Sequence, residues 1–262
     1  MTFPPKICFI GSGNLATQFS IALHEKGFEI VQVYSRTEEA ASELARKLAC
    51  AYTVQAANIT SEADMYVCAL KDSVITEVLR QAEPQIKGKL LVHTAGSVPM
   101  SLLEEFSENC GVIYPTQTFT KAKKVDFGKV PFLLEGSTNE VYSELEKIVA
   151  TLSDNIYNVS SEDRKRIHLA AVFVCNFANH VFALGADLAK ASGLPFEILL
   201  PLIDETAEKV HFVPPSKAQS GPAVRNDDNV MEMHRQMLEG SPQLLEIYNV
   251  LSRSIQCKAK QQ

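Results

Sequence analysis

Gly11, Gly13 and Ala16 stand in the spacing Gly-x-Gly-x-x-Ala directly after the apolar run Cys8-Phe9-Ile10, and helical apolar periodicity begins at Leu15. A strand that runs through glycines into a helix gathers unpaired backbone N–H groups and the positive end of a helix dipole at one point, which suits a phosphate. Gly11 permits the tight turn, Gly13 lets the backbone approach a pyrophosphate with no Cβ in the way, and Ala16 keeps helix and strand close. Gly11, Ser12, Gly13, Asn14 and Leu15 are therefore the candidate grip on a dinucleotide.

The next apolar run, Ile30 to Tyr34, ends in Ser35-Arg36-Thr37. An NAD enzyme presents an Asp or Glu to the ribose 2′-hydroxyl at this place. An arginine between two hydroxyl residues suits a 2′-phosphate instead, which a carboxylate would repel. NADP is thus the expected cofactor, held by Ser35, Arg36 and Thr37, although Ser35 and Thr37 also suit capping of the following helix. Two further runs end in Ala69-Leu70-Lys71-Asp72 and His93-Thr94-Ala95-Gly96-Ser97. Ligands of open α/β sheets bind beyond the carboxyl ends of the strands, so Leu70, Lys71, His93, Thr94, Ala95 and Gly96 are expected to border the nicotinamide half. Tyr114-Pro115-Thr116-Gln117-Thr118-Phe119 would fold over the ring. His93 also reads as an ordinary strand-end histidine.

For proton chemistry the candidates are His168, Asn176, Arg225 and Asp227. On one helix, His168 and Asn176 would lie about 80° apart in projection and about 12 Å apart along the axis, so both can border one cleft. Histidine is the natural general acid near neutral pH. Asn176 lies in an apolar stretch, where a buried amide needs partners and either binds substrate or bridges helices. Arg225 and Asp227 follow Gly221-Pro222 as a charge pair able to hold a substrate carboxylate or to orient a neighbouring helix. His180, His211 and His234 read as structural.

These residues need elements to position them. Apolar runs at 6–10, 29–34, 64–70, 90–94, 111–114, 131–135 and 155–158 alternate with helical patterns at 15–26, 38–48, 73–83 and 140–152, the signature of β-α units over a parallel sheet. After Ser160 the texture changes: Ser161-Glu162-Asp163 offers a helix start, and no proline follows before Pro195, which predicts one helix of about 30 residues. Its middle, 169–188, is apolar almost all round and so calls for burial on several sides, with a second subunit as the expected cover. Helical patterns follow at 195–210, 229–238 and 242–256. The expected fold is α/β, a doubly wound Rossmann sheet over 1–159 followed by an all-α domain over 160–262.

Composition narrows the function classes. Of 262 residues 46% are hydrophobic and 21% charged, which is ordinary globular usage. A net charge of -6 argues against a nucleic-acid coat, and Lys121, Lys123 and Lys124 form only a small basic cluster. The six cysteines form no Cys-x-x-Cys pair and the six histidines show no zinc spacing, so reduced thiols and no metal are expected. The start of the chain lacks the layout of a signal peptide, and the expectation is a cytoplasmic protein without a membrane partner.

Five motifs together carry a resemblance: Gly11 to Ala16, the His93 to Ser97 turn, Tyr114 to Phe119, the helix from His168-Leu169-Ala170-Ala171 through Asn176, and Ser220-Gly221-Pro222-Ala223-Val224-Arg225-Asn226-Asp227. They resemble a Rossmann-like NADP oxidoreductase family with a helical C-terminal domain of unknown function, related to pyrroline-5-carboxylate reductases and 6-phosphogluconate dehydrogenases. The resemblance covers nearly the whole chain and implies a homodimer built through the C-terminal helices and an NADP-dependent oxidoreductase role, without naming a substrate. Related β-hydroxyacid dehydrogenases place a catalytic Lys four residues before an Asn on their first long C-terminal helix. Asn176 matches, but Val172 stands at the Lys position and can neither donate nor accept a proton. Imine reduction needs less acid–base help, because a protonated iminium is already electrophilic. The reading is hydride transfer from NADPH to a small carbonyl or imine substrate. Two alternatives stay open, an NADP-binding sensor or scaffold without catalysis and an NADP:deazaflavin oxidoreductase.

Overall fold

The computed structural model describes residues 3–261. Eight strands form one sheet in the order β3-β2-β1-β4-β5-β6-β7-β8, with β1 Ile7–Ile10, β2 Ile30–Tyr34, β3 Ala51–Thr53, β4 Met65–Cys68, β5 Leu90–His93, β6 Cys110–Pro115, β7 Phe132–Gly136 and β8 Ile156–Asn158. Strands buried on both faces read as continuous apolar runs, and alternate residues feed opposite cores. Ile7, Phe9, Met65 and Val67 join one core with Phe19, Leu23, Leu44 and Leu145, contributed by α1 Asn14–Glu25, α2 Glu38–Leu48 and α4 Asn139–Ala150. Cys8, Ile10, Tyr66 and Cys68 join the other, with Ile75, Leu79 and Ile86 of α3 Ile75–Ile86. The Rossmann-like, doubly wound half is therefore present as expected, followed by a mostly helical region.

Two features correct the expected sheet. The segment Ala51–Thr53 is a strand missed in the apolar pattern, because it is three residues long, lies at the sheet edge and is largely exposed. The sheet is also mixed: β7 runs antiparallel to β6, with Tyr114 opposite Leu133, while the other neighbouring strands pair in parallel. The link from β6 to β7 has no crossover helix, and without one the returning strand reverses direction.

The chain divides into two compact units between Asn176 and Phe177. The expected boundary at 159/160 marks the start of α5, Ser161–Ala191, and the division falls inside this 31-residue helix. Ser160 rather than Ser161 caps it, its hydroxyl accepting from the Asp163 N–H, and Val172–Phe177 is wound as a π turn. In the second unit the helices are Leu200–Lys209, Asp228–Met237 and Pro242–Ala259, with single turns at Pro215–Ala218 and Pro222–Arg225 in the proline-rich loop.

The apolar middle of α5 is not buried by its own chain: Leu169 is 58% exposed and Val174 78%. By length and composition this is the one helix, among the described residues, long and apolar enough to cross a membrane. Within the second unit only Ala189, Ala223, Met231 and Leu238 are buried hydrophobics among the described residues. So few buried side chains do not close a core of their own.

Candidate active site

The strand order sets β2, β1, β4, β5 and β6 side by side and parallel, so the segments following them emerge along one edge of the sheet. The chain moves outward from β1 to β2 in one direction and to β4 in the other, which makes the β1 end the switch point where an α/β sheet opens a crevice. Gly11 sits there with φ +127°, and a Cβ on it would lie 2.4 Å from the Ala69 carbonyl oxygen. Only glycine lets the turn pass the end of β4. At Gly13 an added Cβ would meet nothing within 4 Å, so the outer side of the turn is open.

Gly13 is the N-cap of α1 and makes no side-chain cap bond, which leaves the first N–H groups of the helix, those of Asn14 and Leu15 included, without an intrahelical acceptor. The loop is tied to the end of β2: the Gly11 N–H donates to the Tyr34 carbonyl at 2.8 Å, and the Ser12 hydroxyl to the Ser35 hydroxyl at 2.7 Å. Arg36 stands exposed beside it, and Thr37, the N-cap of α2, makes no side-chain cap bond. The capping role open to Ser35 and Thr37 in sequence is not taken by either hydroxyl. Asn14 Nδ2 donates to the Phe119 carbonyl at 2.9 Å and Gln18 Nε2 to that of Thr120 at 2.8 Å, so the segment after β6 is strapped to α1. A glycine turn with open space outside it, uncapped N–H groups and a neighbouring arginine fit the pyrophosphate and 2′-phosphate of NADP.

Leu70 and Lys71 follow β4, and there the Ser97 hydroxyl bonds the Asp72 carboxylate, joining the β4 and β5 turns. His93 is fully buried. Its Nδ1 accepts from the Ala95 N–H at 3.1 Å, while Nε2 faces the Pro99 carbonyl short of hydrogen-bond geometry. Burial, with the positive charge of Arg164 second, pushes its pKa down to about 4. The ring is thus a neutral core group that shapes the Thr94-Ala95-Gly96 turn, and what this segment offers a ligand is that turn.

Gly96 is where the turn meets α5. A Cβ on it would lie 2.6 Å from His168 Nδ1 and 2.7 Å from Cγ, so the imidazole rests directly on the glycine. Nδ1 also lies 3.1 Å from the Tyr114 hydroxyl, with the two rings edge-on at 5.9 Å. Burial, then the nearby Cys175 thiol, raises the Tyr114 pKa, so the phenol keeps its proton.

One turn earlier on α5 Arg164 is completely buried. Its guanidinium bonds the Glu135 carboxylate on β7, the Val98 carbonyl at 2.6 Å and the Ser161 hydroxyl at 3.1 Å. Ser161 in turn donates to Glu135 at 2.7 Å and accepts from the Met100 N–H at 2.9 Å. This clamp fixes the start of α5 to β7 and to the segment after Gly96, and so fixes His168 four residues on.

The remaining candidates depart from expectation. Asn176 is exposed on the π turn, so it is not a buried amide in need of partners. A π turn advances less per residue than an α turn, which brings Asn176 closer in phase to His168 than 80°. Asp227 forms no charge pair with Arg225 among the described residues. It is the N-cap of Asp228–Met237, its carboxylate accepting from the Val230 N–H at 3.3 Å, and Arg225 is exposed at the end of the preceding turn. Both belong to the second unit. No group of three or more metal-ligating side chains occurs among the described residues. Tyr114 as the partner of His168, and Arg164 as its clamp, were not singled out by sequence. Tyr114 lies 54 residues from His168, and Arg164 is hidden in the run Glu162-Asp163-Arg164-Lys165-Arg166.

Residues 6–96 match the family described as NADP oxidoreductase coenzyme F420-dependent, and residues 130–255 match a domain of unknown function, DUF2520. A Bacteroides fragilis protein provisionally named an NADP oxidoreductase is 50% identical, with 96% of this chain and 98% of that chain covered and a TM-score of 0.91. An imine reductase from Myxococcus stipitatus solved with NADP+ is 16% identical, with 98% and 93% covered and a TM-score of 0.65. Pyrroline carboxylate reductase from Plasmodium falciparum solved with NADP is 13% identical, with 99% and 100% covered and a TM-score of 0.63. The last two are likenesses of fold alone. No curated protein matches the chain.

Proposed function

Because this chain belongs to the NADP oxidoreductase family that joins an F420-dependent-type nucleotide domain to the DUF2520 domain, we propose that it reduces a small carbonyl or imine compound with NADPH. The observation that carries the reading is the juxtaposition of His168, Gly96 and Tyr114 beyond the same strand ends as the Gly11–Leu15 loop. The loop and the N-terminus of α1 hold the pyrophosphate, and Ser35, Arg36 and Thr37 hold the 2′-phosphate. Leu70, Lys71 and the Thr94–Gly96 turn border the nicotinamide. Bound NADPH supplies the hydride. His168 holds the proton delivered to the substrate heteroatom, and Val172, where related dehydrogenases carry lysine, leaves histidine in that role. Asn176, exposed on the same helix, binds a polar group of the substrate, while Asp227 supports the second unit as a helix cap.

A second copy of the chain covers the apolar faces of α5 and of the helices after it, where Leu202 is 64% and Phe212 87% exposed. A soluble, cytoplasmic homodimer is part of this reading. A second reading, hydride exchange with a deazaflavin in place of a small substrate, is favoured by the F420-dependent description of the family matched at residues 6–96.

The test is NADPH consumption by the purified protein against 1-pyrroline, pyruvate and coenzyme F420, repeated on His168→Ala. Turnover with 1-pyrroline or pyruvate, falling on the order of 10²-fold or more in the variant, is the expected result. Turnover with F420 alone would transfer the assignment to the second reading. Bound NADPH with no oxidation of it by any of the three would point to a binding module.

A further inference from the structure

We propose that Tyr114 is the positioning residue for His168: its hydroxyl occupies Nδ1 in both protonation states of the imidazole, so that Nε2 is the nitrogen that faces the reacting heteroatom. The inference rests on the reductase reading above and assigns the proton-bearing atom within it.

Three contacts confine the ring. Tyr114 Oη lies 3.1 Å from Nδ1, the tyrosine ring meets it edge-on, and Gly96 presses on the Cβ–Cγ–Nδ1 edge. Nε2 is bonded to no group among the described residues. Tyr114 comes from the end of β6 and Gly96 from the turn after β5, so both are set by neighbouring strands. His168 comes from α5, held to the same sheet by the Arg164 clamp.

A hydroxyl can donate and accept, which a carbonyl or a carboxylate cannot. When the imidazole is neutral, the Tyr114 O–H donates to Nδ1 and the ring proton sits on Nε2. When it is protonated, Nδ1–H donates to the Tyr114 oxygen and Nε2–H still points away from the tyrosine. Burial keeps the phenol protonated, so it has this hydrogen to give. The reduction then balances simply. The substrate carbon gains the hydride and its electron pair, the C=N or C=O π pair moves to the heteroatom, and the heteroatom takes the proton from Nε2. The imidazolium becomes neutral and recovers a proton from solvent.

The test combines a spectrum with kinetics. Protein labelled with 15N-histidine is examined with and without NADP+, and the His168 signals are identified by their loss in His168→Gln. Wild type is expected to show, in the neutral ring, a protonated Nε2 and an Nδ1 shifted as a hydrogen-bond acceptor. Tyr114→Phe, which keeps the ring and its packing, should return Nδ1 to the position of an unbonded acceptor. It should also lower kcat for 1-pyrroline or pyruvate roughly tenfold, with the KM for NADPH unchanged. A wild-type ring protonated on Nδ1, or a Tyr114→Phe protein with the wild-type Nδ1 signal and kcat, would overturn the proposal. His168→Gln with full turnover would instead remove histidine from the reaction and overturn the reductase assignment, while the spectrum still decides the pairing.

Discussion

Arg164→Met loses about 3–5 kcal/mol of stability, the range for breaking a buried ion pair by removing one partner. The arginine is fully buried and the Glu135 side chain 17% exposed, so solvent screens little of the interaction. Methionine fills much of the volume but abandons the Glu135 carboxylate and the Val98 carbonyl inside the protein. Much of the loss is the penalty of those groups rather than the worth of the pair. The double variant Glu135→Leu, Arg164→Met should therefore recover a large part of it, since apolar replacement of a whole buried pair is often neutral. Denaturant midpoints of the single and double variants measure both effects. A loss under about 1 kcal/mol in the single variant, typical of an exposed pair, would show that the clamp does not secure α5.

Gly11→Ala has the next largest effect. A methyl there lies 2.4 Å from the Ala69 carbonyl oxygen and 2.9 Å from its carbon, both backbone atoms of a central strand end that cannot swing aside. The residue also occupies φ +127°, where L side chains are strained. Strain and overpacking together cost about 2–5 kcal/mol. Displacement of the loop should abolish NADPH binding as well. Gly13→Ala provides the control. Its methyl meets nothing within 4 Å, so the protein should unfold within about 0.5 kcal/mol of wild type, yet bind NADPH far more weakly if a pyrophosphate uses that space. Thermal melts and nucleotide titrations of both variants separate the two roles. Equal stability of Gly11→Ala and wild type would refute the account of the turn.

The legible parts of this fold were those whose signal is local. Ile7–Ile10 and Met65–Cys68 are buried on both faces and read as unbroken apolar runs. The glycine turn announces itself because strand, glycines and helix follow within ten residues. Strand direction is not local. Nothing in Phe132–Gly136 itself says that it pairs antiparallel with β6, because that follows from the path of the connection. The geometry of the candidate site was legible in the same measure. His168 stood out by type and by its place on a long helix, whereas its contacts with Gly96 and Tyr114 depend on three separate segments meeting. Asp227 was misread despite a local signal, since an aspartate just before a helix is an N-cap before it is half of a charge pair. Asn176 was expected to be buried because its neighbours are apolar, but those neighbours are themselves exposed in the single chain.

The central claim is that NADPH binds at the Gly11–Leu15 turn with Arg36 on its 2′-phosphate, and calorimetric titration of wild type and Arg36→Ala with NADPH and NADH tests it most directly. Wild type should prefer NADPH, and the variant should lose that preference through a fall in NADPH affinity on the order of tenfold to hundredfold, as for a lost charged hydrogen bond. NADH affinity should hardly change. Failure of wild type to bind either nucleotide, or an NADPH affinity untouched by the substitution, would contradict the account.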